Sequence, residues 1–227
     1  LTTDWVNDET WKENFQPYMA VLVNGKLLKR FAVSEGTAEY ELYRSERAEK
    51  VRIRLVKLSE NAFSKVGVLS FSADGKLTAA KPCSERRIEF VGDSITCGFG
   101  IEGRSADEGF RTSTENPLIN YASLTANELG AEYQLISWTS IGVYSNSVKD
   151  DRTEPDNAWT MPVIYDCTDK AVDGMLGNEP EIWDHSRFAP QLIVVNLGTN
   201  DKDFTRGIPE RTAAFENCYR EFVAHIR

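Results

Sequence analysis

This 227-residue sequence has few histidines, no paired cysteines and no long apolar run. Its two histidines and four cysteines form no CxxC spacing, which argues against a zinc site and leaves open whether any disulfide forms. No apolar run approaches the ~18 residues that a membrane-spanning helix needs, so we expect no membrane partner. Basic residues are also outnumbered: 26 lysines and arginines against 35 acidic residues give a net charge of −9, which argues against nucleic acid as a partner.

The composition, 41% hydrophobic and 27% charged, is that of a folded protein. Residues 1–85 contain short apolar or alternating runs separated by turn residues, a pattern typical of an all-β region. The runs are Tyr18–Val23, which is followed by the hairpin turn Asn24-Gly25, and then Glu39–Tyr43, Val51–Leu55 and Val66–Phe71. They predict a β-sandwich or jelly roll over residues 1–85, which would be either a sugar-binding accessory domain or a packing partner.

The pattern changes after a predicted linker, Lys81–Glu85. Helix signals begin at Asn116-Pro117, with Gly130 as the stop, and again at Pro209. Strands are predicted at Arg87–Val91, at Tyr133–Ile136 and at Leu192–Leu197, the last of which is apolar enough to be buried on both faces. The alternation of strand and helix predicts an α/β domain with a parallel, doubly wound sheet over residues 86–227.

A small polar cluster follows each of the three predicted strands. The segment Gly92–Thr96 contains Ser94, a second cluster ends in Gly142, and Gly198–Asp201 contains Asn200. Because the active groups of an open parallel sheet gather beyond the carboxyl ends of its strands, we expect the three clusters to meet. An exposed serine, a glycine that permits close backbone approach and a neutral amide donor would then form a nucleophile beside an oxyanion hole. Taken singly, each residue also has an ordinary structural role, as a helix cap, a turn residue or a loop hydrogen-bond donor.

These clusters resemble the first three sequence blocks of the SGNH (GDSL-type) hydrolases. A wider stretch that includes Phe90–Gly100, Thr114–Asn116 and Ile136–Trp138 is similar to the second carbohydrate-esterase family. That family joins an N-terminal jelly roll to a flavodoxin-like SGNH domain and removes acetyl groups from plant polysaccharides such as xylan and mannan. The Gly-x-Ser-x-Gly elbow of the α/β-hydrolases is absent, which argues against that fold.

The resemblance implies a serine esterase, a carbohydrate O-deacetylase that works through an acyl-enzyme and needs no cofactor. Ser94 would be the nucleophile, and the N–H of Ser94, the N–H of Gly142 and the side chain of Asn200 would hold the oxyanion. The expected partner is an acetylated plant polysaccharide or oligosaccharide, and secretion is favoured by analogy alone. The alternative is a catalytically silent carbohydrate-binding protein with the same fold.

A serine nucleophile needs a base, and the Asp-x-x-His block that supplies it in this family is absent here. His185 precedes the third predicted strand, whose length of ~20 Å would place it on the side opposite Ser94. His225 closes the last predicted helix, which would carry it ~25 Å from the site. We therefore expect a C-terminally incomplete hydrolase domain, with the base and the later strands absent or present as a separate piece.

Overall fold

The N-terminal part of the chain forms two antiparallel sheets of three strands each. The computed structural model describes residues 1–5, 12–80, 84–175 and 177–226. The strands are β1 (Thr2–Trp5), β2 (Tyr18–Val23), β3 (Lys26–Ala32), β4 (Gly36–Thr37), β5 (Ile53–Lys57) and β6 (Ser64–Gly67), and a short helix α1 (Lys12–Phe15) lies between β1 and β2. The sheet orders are β4-β1-β6 and β3-β2-β5. We call residues 1–67 the N-terminal region.

Local sequence signals predict part of this region well. β2 has the predicted bounds, and Asn24 and Gly25 take φ values of +50° and +82°, as a two-residue hairpin turn of the type I′ class requires. The predicted strand at Glu39–Tyr43 is wrong, and β6 ends at Gly67, so that the run to Phe71 leaves the sheet. Alternation makes a strand only where a neighbouring strand can pair with it, and within the described residues these segments have none.

The predicted linker Lys81–Glu85 falls mostly outside the described residues, which omit 81–83. After it come three parallel strands, β7 (Arg87–Gly92), β8 (Glu132–Ser137) and β9 (Leu192–Asn196), in the order β8-β7-β9. All three predicted strands are therefore present within one or two residues of their predicted bounds. In this strand order the connections reverse direction between β7 and β9, which is where open α/β sheets form a crevice for ligands.

Helices and turns connect and flank these strands. The α-helices are α2 (Ser94–Cys97), α3 (Tyr121–Glu128), α4 (Met161–Ile164), α5 (Lys170–Met175), α6 (Asp201–Thr205) and α7 (Pro209–His225), with 3-10 turns at Thr112–Thr114 and His185–Arg187. Helix α7 begins at Pro209 as predicted. Across the described ranges, which omit 6–11, 81–83, 176 and 227, no helix has both the length and the apolarity to cross a membrane.

Helix α3 begins later than predicted. Its N-cap is Asn120, whose Oδ1 accepts the backbone N–H of Ser123 at 2.8 Å. The predicted cap, Asn116, caps a separate turn instead, since its Oδ1 accepts the N–H of Leu118 at 3.1 Å. Two asparagines four residues apart give the same capping signal, and only tertiary contacts decide between them.

The core lies on both faces of β7 and fixes the direction in which that strand points. Ile88 and Phe90 pack on one face against Ala122 and Ala126 of α3. On the other face, Val91 belongs to a cluster with Trp138, Ile141, Met161 and Phe222. β9 is only half-buried, contrary to the prediction that both of its faces are covered, because its only strand neighbour among the described residues is β7.

Two glutamates are buried where the N-terminal region meets the parallel sheet. Glu60 is 8% exposed and Glu115 0% exposed, and their carboxyl groups share a hydrogen bond. Burial, together with the adjacent Glu60, raises the pKa of Glu115 to about 10, so Glu115 carries a proton at neutral pH. Nearby, Lys57 donates to the carbonyls of Ser59 and Glu60 at 2.7 and 2.9 Å, and burial lowers its pKa to about 8.

We predict that Glu115→Gln flattens the pH dependence of stability between about pH 5 and about pH 8. The folded protein keeps a proton on Glu115 that the unfolded chain releases above the ordinary pKa of 4.5. The stability from the protonated form is therefore complete below that pKa and is lost as the pH rises towards the folded value, by at most about 1.4 kcal/mol per pH unit. Glutamine does not titrate, so the variant does not lose this stability as the pH rises.

Urea unfolding at several pH values in this window measures the effect. Glu128→Gln, on the exposed face of α3, is the matched control and should keep the wild-type slope. A Glu115→Gln slope equal to that of wild type would show that Glu115 is ionised in the folded protein.

Candidate active site

Ser94 is the first residue of α2, directly after the turn that ends the central strand β7. Asp93 caps the helix, with its Oδ1 accepting the N–H of Ile95 at 3.0 Å. The turn is tight: a Cβ added to Gly92 would lie 2.0 Å from Thr96 Oγ1, so this position accepts only glycine. Asp93 is buried and Ser94 is partly exposed, and the Ser94 hydroxyl makes no hydrogen bond to another described residue. The turn therefore presents Ser94 at the surface of a rigid support.

The side chain of Asn200 joins the turns that follow all three parallel strands. From its place after β9, its Nδ2 donates to the carbonyl of Ile141 at 2.8 Å and to Asp93 Oδ2 at 3.3 Å. Asp93 precedes Ser94, and Ile141 precedes Gly142. The structure thus brings together the three turns that carry the predicted site residues.

A buried carboxylate fixes the loop that follows β8, which we call the β8 loop (residues 138–146). Asp201, 1% exposed, accepts the backbone N–H groups of Val143, Tyr144 and Ser145 with its Oδ1 at 3.1, 2.7 and 2.9 Å. Hydrogen bonds to a charged acceptor are stronger than those between neutral groups, and here they also satisfy the buried charge. The β8 loop is therefore held against the start of α6.

Gly142 has no space for a side chain. A Cβ at this position would lie 1.9 Å from the Ser145 carbonyl oxygen and 2.9 Å from Asp201 Oδ1. Its N–H donates to Asn146 Oδ1 at 3.1 Å. Of the three predicted oxyanion donors, the Gly142 N–H and the Asn200 amide therefore have acceptors within the protein, and a substrate oxygen would compete with Asn146 and Ile141 for them.

Sequence patterns alone give no role to Asp201 or Asn146. Asp201 stands directly after Asn200, so its proximity to the site could be read from the motif, but its three backbone donors lie more than fifty residues earlier. Asn146 has no local signal that distinguishes it from a solvent-facing loop residue. Asp93 acts as a helix cap and as an acceptor for Asn200, and burial, with a smaller contribution from Asp201, raises its pKa.

The two histidines lie together and away from these turns. His185 Nε2 is 2.9 Å from Asp166 Oδ1, and His225 Nε2 is 2.7 Å from Asp166 Oδ2. Both rings contact Tyr165, whose hydroxyl donates to Glu89 Oε1 at 2.6 Å in the first half of β7. Within the described residues neither imidazole has a hydrogen bond to the turns of Ser94, Gly142 and Asn200, and the source of the base stays a prediction. Over the described part of the chain, no group of three or more His, Cys, Asp or Glu residues is arranged to hold a metal ion.

We predict that Asp201→Ala lowers the free energy of unfolding by about 3 kcal/mol, because it leaves three buried backbone donors without their charged acceptor. Asp203→Ala is the control, since Asp203 lies on the same helix and is exposed, and its carboxylate accepts the Ser147 hydroxyl at 2.5 Å and no backbone N–H of a described residue. The control should change stability little. Urea unfolding of both variants makes the comparison, and equal losses would mean that Asp201 does not fix the β8 loop.

Comparison with known proteins identifies the family of the chain. Residues 88–227 match the GDSL-like lipase/acylhydrolase family. Over 96% of its length the chain is 32% identical to the cellulase/esterase CelE of Acetivibrio thermocellus, and over 81% it is 34% identical to an acetylxylan esterase/glucomannan deacetylase of Cellvibrio japonicus. A family two carbohydrate esterase from Clostridium thermocellum, solved in complex with cellohexaose, superposes with a TM-score of 0.71 at 30% identity over 94% of the chain.

The chain is shorter than these relatives. It spans 25% and 48% of the two curated proteins and 61% of the solved one. The match over residues 88–227 includes all three parallel strands and the turns that carry Ser94, Gly142 and Asn200. The chain belongs to the GDSL-like lipase/acylhydrolase family, with relatives among the carbohydrate esterases of family 2.

Proposed function

We propose that this chain is the nucleophile-bearing part of a serine esterase that removes O-acetyl groups from polysaccharide sugars. The observation that carries the proposal is the pair of hydrogen bonds from Asn200 to Asp93 and Ile141, because they hold the turns of Ser94 and Gly142 at one edge of the sheet. The names of the relatives support the substrate class: one is a cellulase/esterase, one is an acetylxylan esterase/glucomannan deacetylase, and the solved carbohydrate esterase is in complex with cellohexaose. None of them supports the alternative of a catalytically silent binding protein.

The proposed reaction proceeds in two steps. The Ser94 oxygen attacks the acetyl carbonyl carbon, a base takes the hydroxyl proton, and the carbonyl oxygen becomes an oxyanion beside the N–H of Ser94, the N–H of Gly142 and the Asn200 amide. The C–O bond to the sugar then breaks and the sugar oxygen takes the proton. In the second step, water gives a proton to the base and attacks the carbonyl carbon of the acetyl group on Ser94. The bond from that carbon to the Ser94 oxygen then breaks, the base returns the proton to the Ser94 oxygen, and acetate is released. No step needs a metal or an organic cofactor.

We further propose that the base is a histidine from a part of the protein other than residues 1–227. Both histidines of this chain are bound to Asp166. Among the described residues β9 pairs with β7 alone, so its other edge is open to further structure. On this proposal the chain divides into a jelly-roll domain at residues 1–85 and an incomplete SGNH domain at residues 86–227.

The first test is hydrolysis of p-nitrophenyl acetate by the full-length protein. Ser94→Ala should lower kcat at least about 10⁴-fold, because the nucleophile is lost. Asn200→Ala should lower it by about 10²- to 10³-fold, the usual effect of losing one oxyanion donor. Ser70→Ala, a substitution of an exposed serine, should have the wild-type rate. A Ser94→Ala rate equal to wild type would refute the esterase proposal.

The second test concerns the base. His185→Ala and His225→Ala should each keep the wild-type kcat, since both rings bind Asp166 and neither contacts the turns of the site. Acetate release from acetylated xylan by the same full-length variants checks this on a polymer. A loss as large as that of Ser94→Ala in either variant would identify that histidine as the base and would remove the need for one from elsewhere.

A further inference from the structure

We propose that Glu60, a residue of the N-terminal region, positions the β8 loop and through it the oxyanion donor Gly142. The inference rests on the proposed function, in which the Gly142 N–H holds the oxyanion. Glu60 follows β5, in a part of the chain that precedes the matched hydrolase family by 28 residues. This role of Glu60 would make the N-terminal region necessary for the geometry of the site, in contrast to a separate sugar-binding domain.

The contact is bidentate and lies at the start of the β8 loop. Glu60 Oε2 accepts the backbone N–H of Thr139 at 2.7 Å, and Glu60 Oε1 accepts the Thr139 hydroxyl at 2.5 Å. Thr139 is three residues before Gly142. Because both donors of Thr139 end on one carboxylate, the position and the orientation of this residue are fixed together.

The rest of the β8 loop is also held in place, so the contact between Glu60 and Thr139 can position Gly142. Ser140, between Thr139 and Ile141, has a φ of +64°, in the left-handed region that a residue with a side chain seldom occupies without support. On the far side of Gly142, Asp201 holds the next three backbone N–H groups. The turn that aims the Gly142 N–H is thus held between two buried carboxylates, one from each part of the chain.

The donors around Glu60 indicate which of the two buried glutamates is ionised. Thr139 presents two donors to Glu60, at 2.7 and 2.5 Å, whereas the positive charge of Lys57 acts on both glutamates and does not distinguish them. Glu115 faces Glu60 and Lys57, and the donor to its carboxyl group is the backbone N–H of Glu60, which lies 3.3 Å from Glu115 Oε2 and is longer than either contact of Thr139. Glu60 is therefore the carboxylate and Glu115 the protonated acid that donates to it. Burial raises the pKa of Glu60, and the contacts with Glu115, Thr139 and Lys57 lower it only in part.

Two isosteric substitutions separate a positioning role from a packing role. Glu60→Gln replaces one of the two acceptor oxygens with an NH₂ group, so one donor of Thr139 loses its partner. Glu115→Gln replaces a neutral acid with a neutral amide that can still donate to Glu60. Both side chains keep their volume, so a role in packing alone predicts the same result for the two variants.

The experiment measures kcat and KM for p-nitrophenyl acetate, together with backbone amide exchange over residues 139–146, in the full-length protein. Glu60→Gln should lower kcat about 10- to 100-fold with little change in KM, because a donor displaced by about 1 Å weakens stabilisation of the transition state more than binding of a small ester. The same variant should exchange amides faster in the β8 loop. Glu115→Gln should have wild-type kcat and wild-type exchange in that loop.

Folded Glu60→Gln protein with wild-type kcat and wild-type exchange would overturn the proposal, as would equal losses in the two variants. If Glu60→Gln does not fold, Thr139→Val replaces it: this variant removes only the hydroxyl contact and should show the same pattern to a smaller extent. The exchange measurement does not depend on activity. A wild-type protein without esterase activity would therefore refute the proposed function, while faster exchange in Glu60→Gln would still show that Glu60 holds the loop.

Discussion

The amide of Asn200 is the contact on which the arrangement of this site depends. The three parallel strands end side by side, but the turns beyond them are far apart in sequence and could point in different directions. One NH₂ group, bonded to Asp93 and to the Ile141 carbonyl, ties the turn of Ser94 to the turn of Gly142. Asp201, the next residue, fixes the following three residues of the β8 loop. A site built in this way has its geometry set by buried polar contacts, whose loss is costly because each leaves a group without a partner.

Buried polar contacts also join the N-terminal region to the loops of the parallel sheet. Hydrophobic packing holds parts of a protein together but tolerates small displacements, whereas hydrogen bonds to a buried carboxylate require defined positions of donor and acceptor. Glu60 binds Thr139, and Arg30 of β3 donates to the carbonyl of Glu115 at 3.0 Å. Arg30 and Glu60 therefore impose a fixed position on loops near the site. This explains in physical terms why burial of charged groups at this boundary, which is unfavourable in itself, is compatible with a stable fold.

The sequence predicts the parts of the structure that depend on short-range patterns. The strands β2, β7, β8 and β9 and the turn at Asn24-Gly25 follow from apolar runs and turn residues. The meeting of the three turns that carry Ser94, Gly142 and Asn200 follows from their places after parallel strands. Long-range polar contacts were not predicted, because Glu60 and Thr139 are 79 residues apart and nothing local marks them as partners. The strand expected at Glu39–Tyr43 is absent for a related reason: pairing depends on neighbours that alternation does not specify.

The most direct measurement is a crystal structure of the full-length protein after reaction with diethyl p-nitrophenyl phosphate, whose phosphoryl group mimics the tetrahedral intermediate. The account predicts a covalent bond to the Ser94 oxygen and a phosphoryl oxygen within about 3 Å of the N–H of Ser94, the N–H of Gly142 and the Asn200 amide, with the Gly142 N–H released from Asn146. An adduct at another residue, or a phosphoryl oxygen directed away from Gly142 and Asn200, would contradict it.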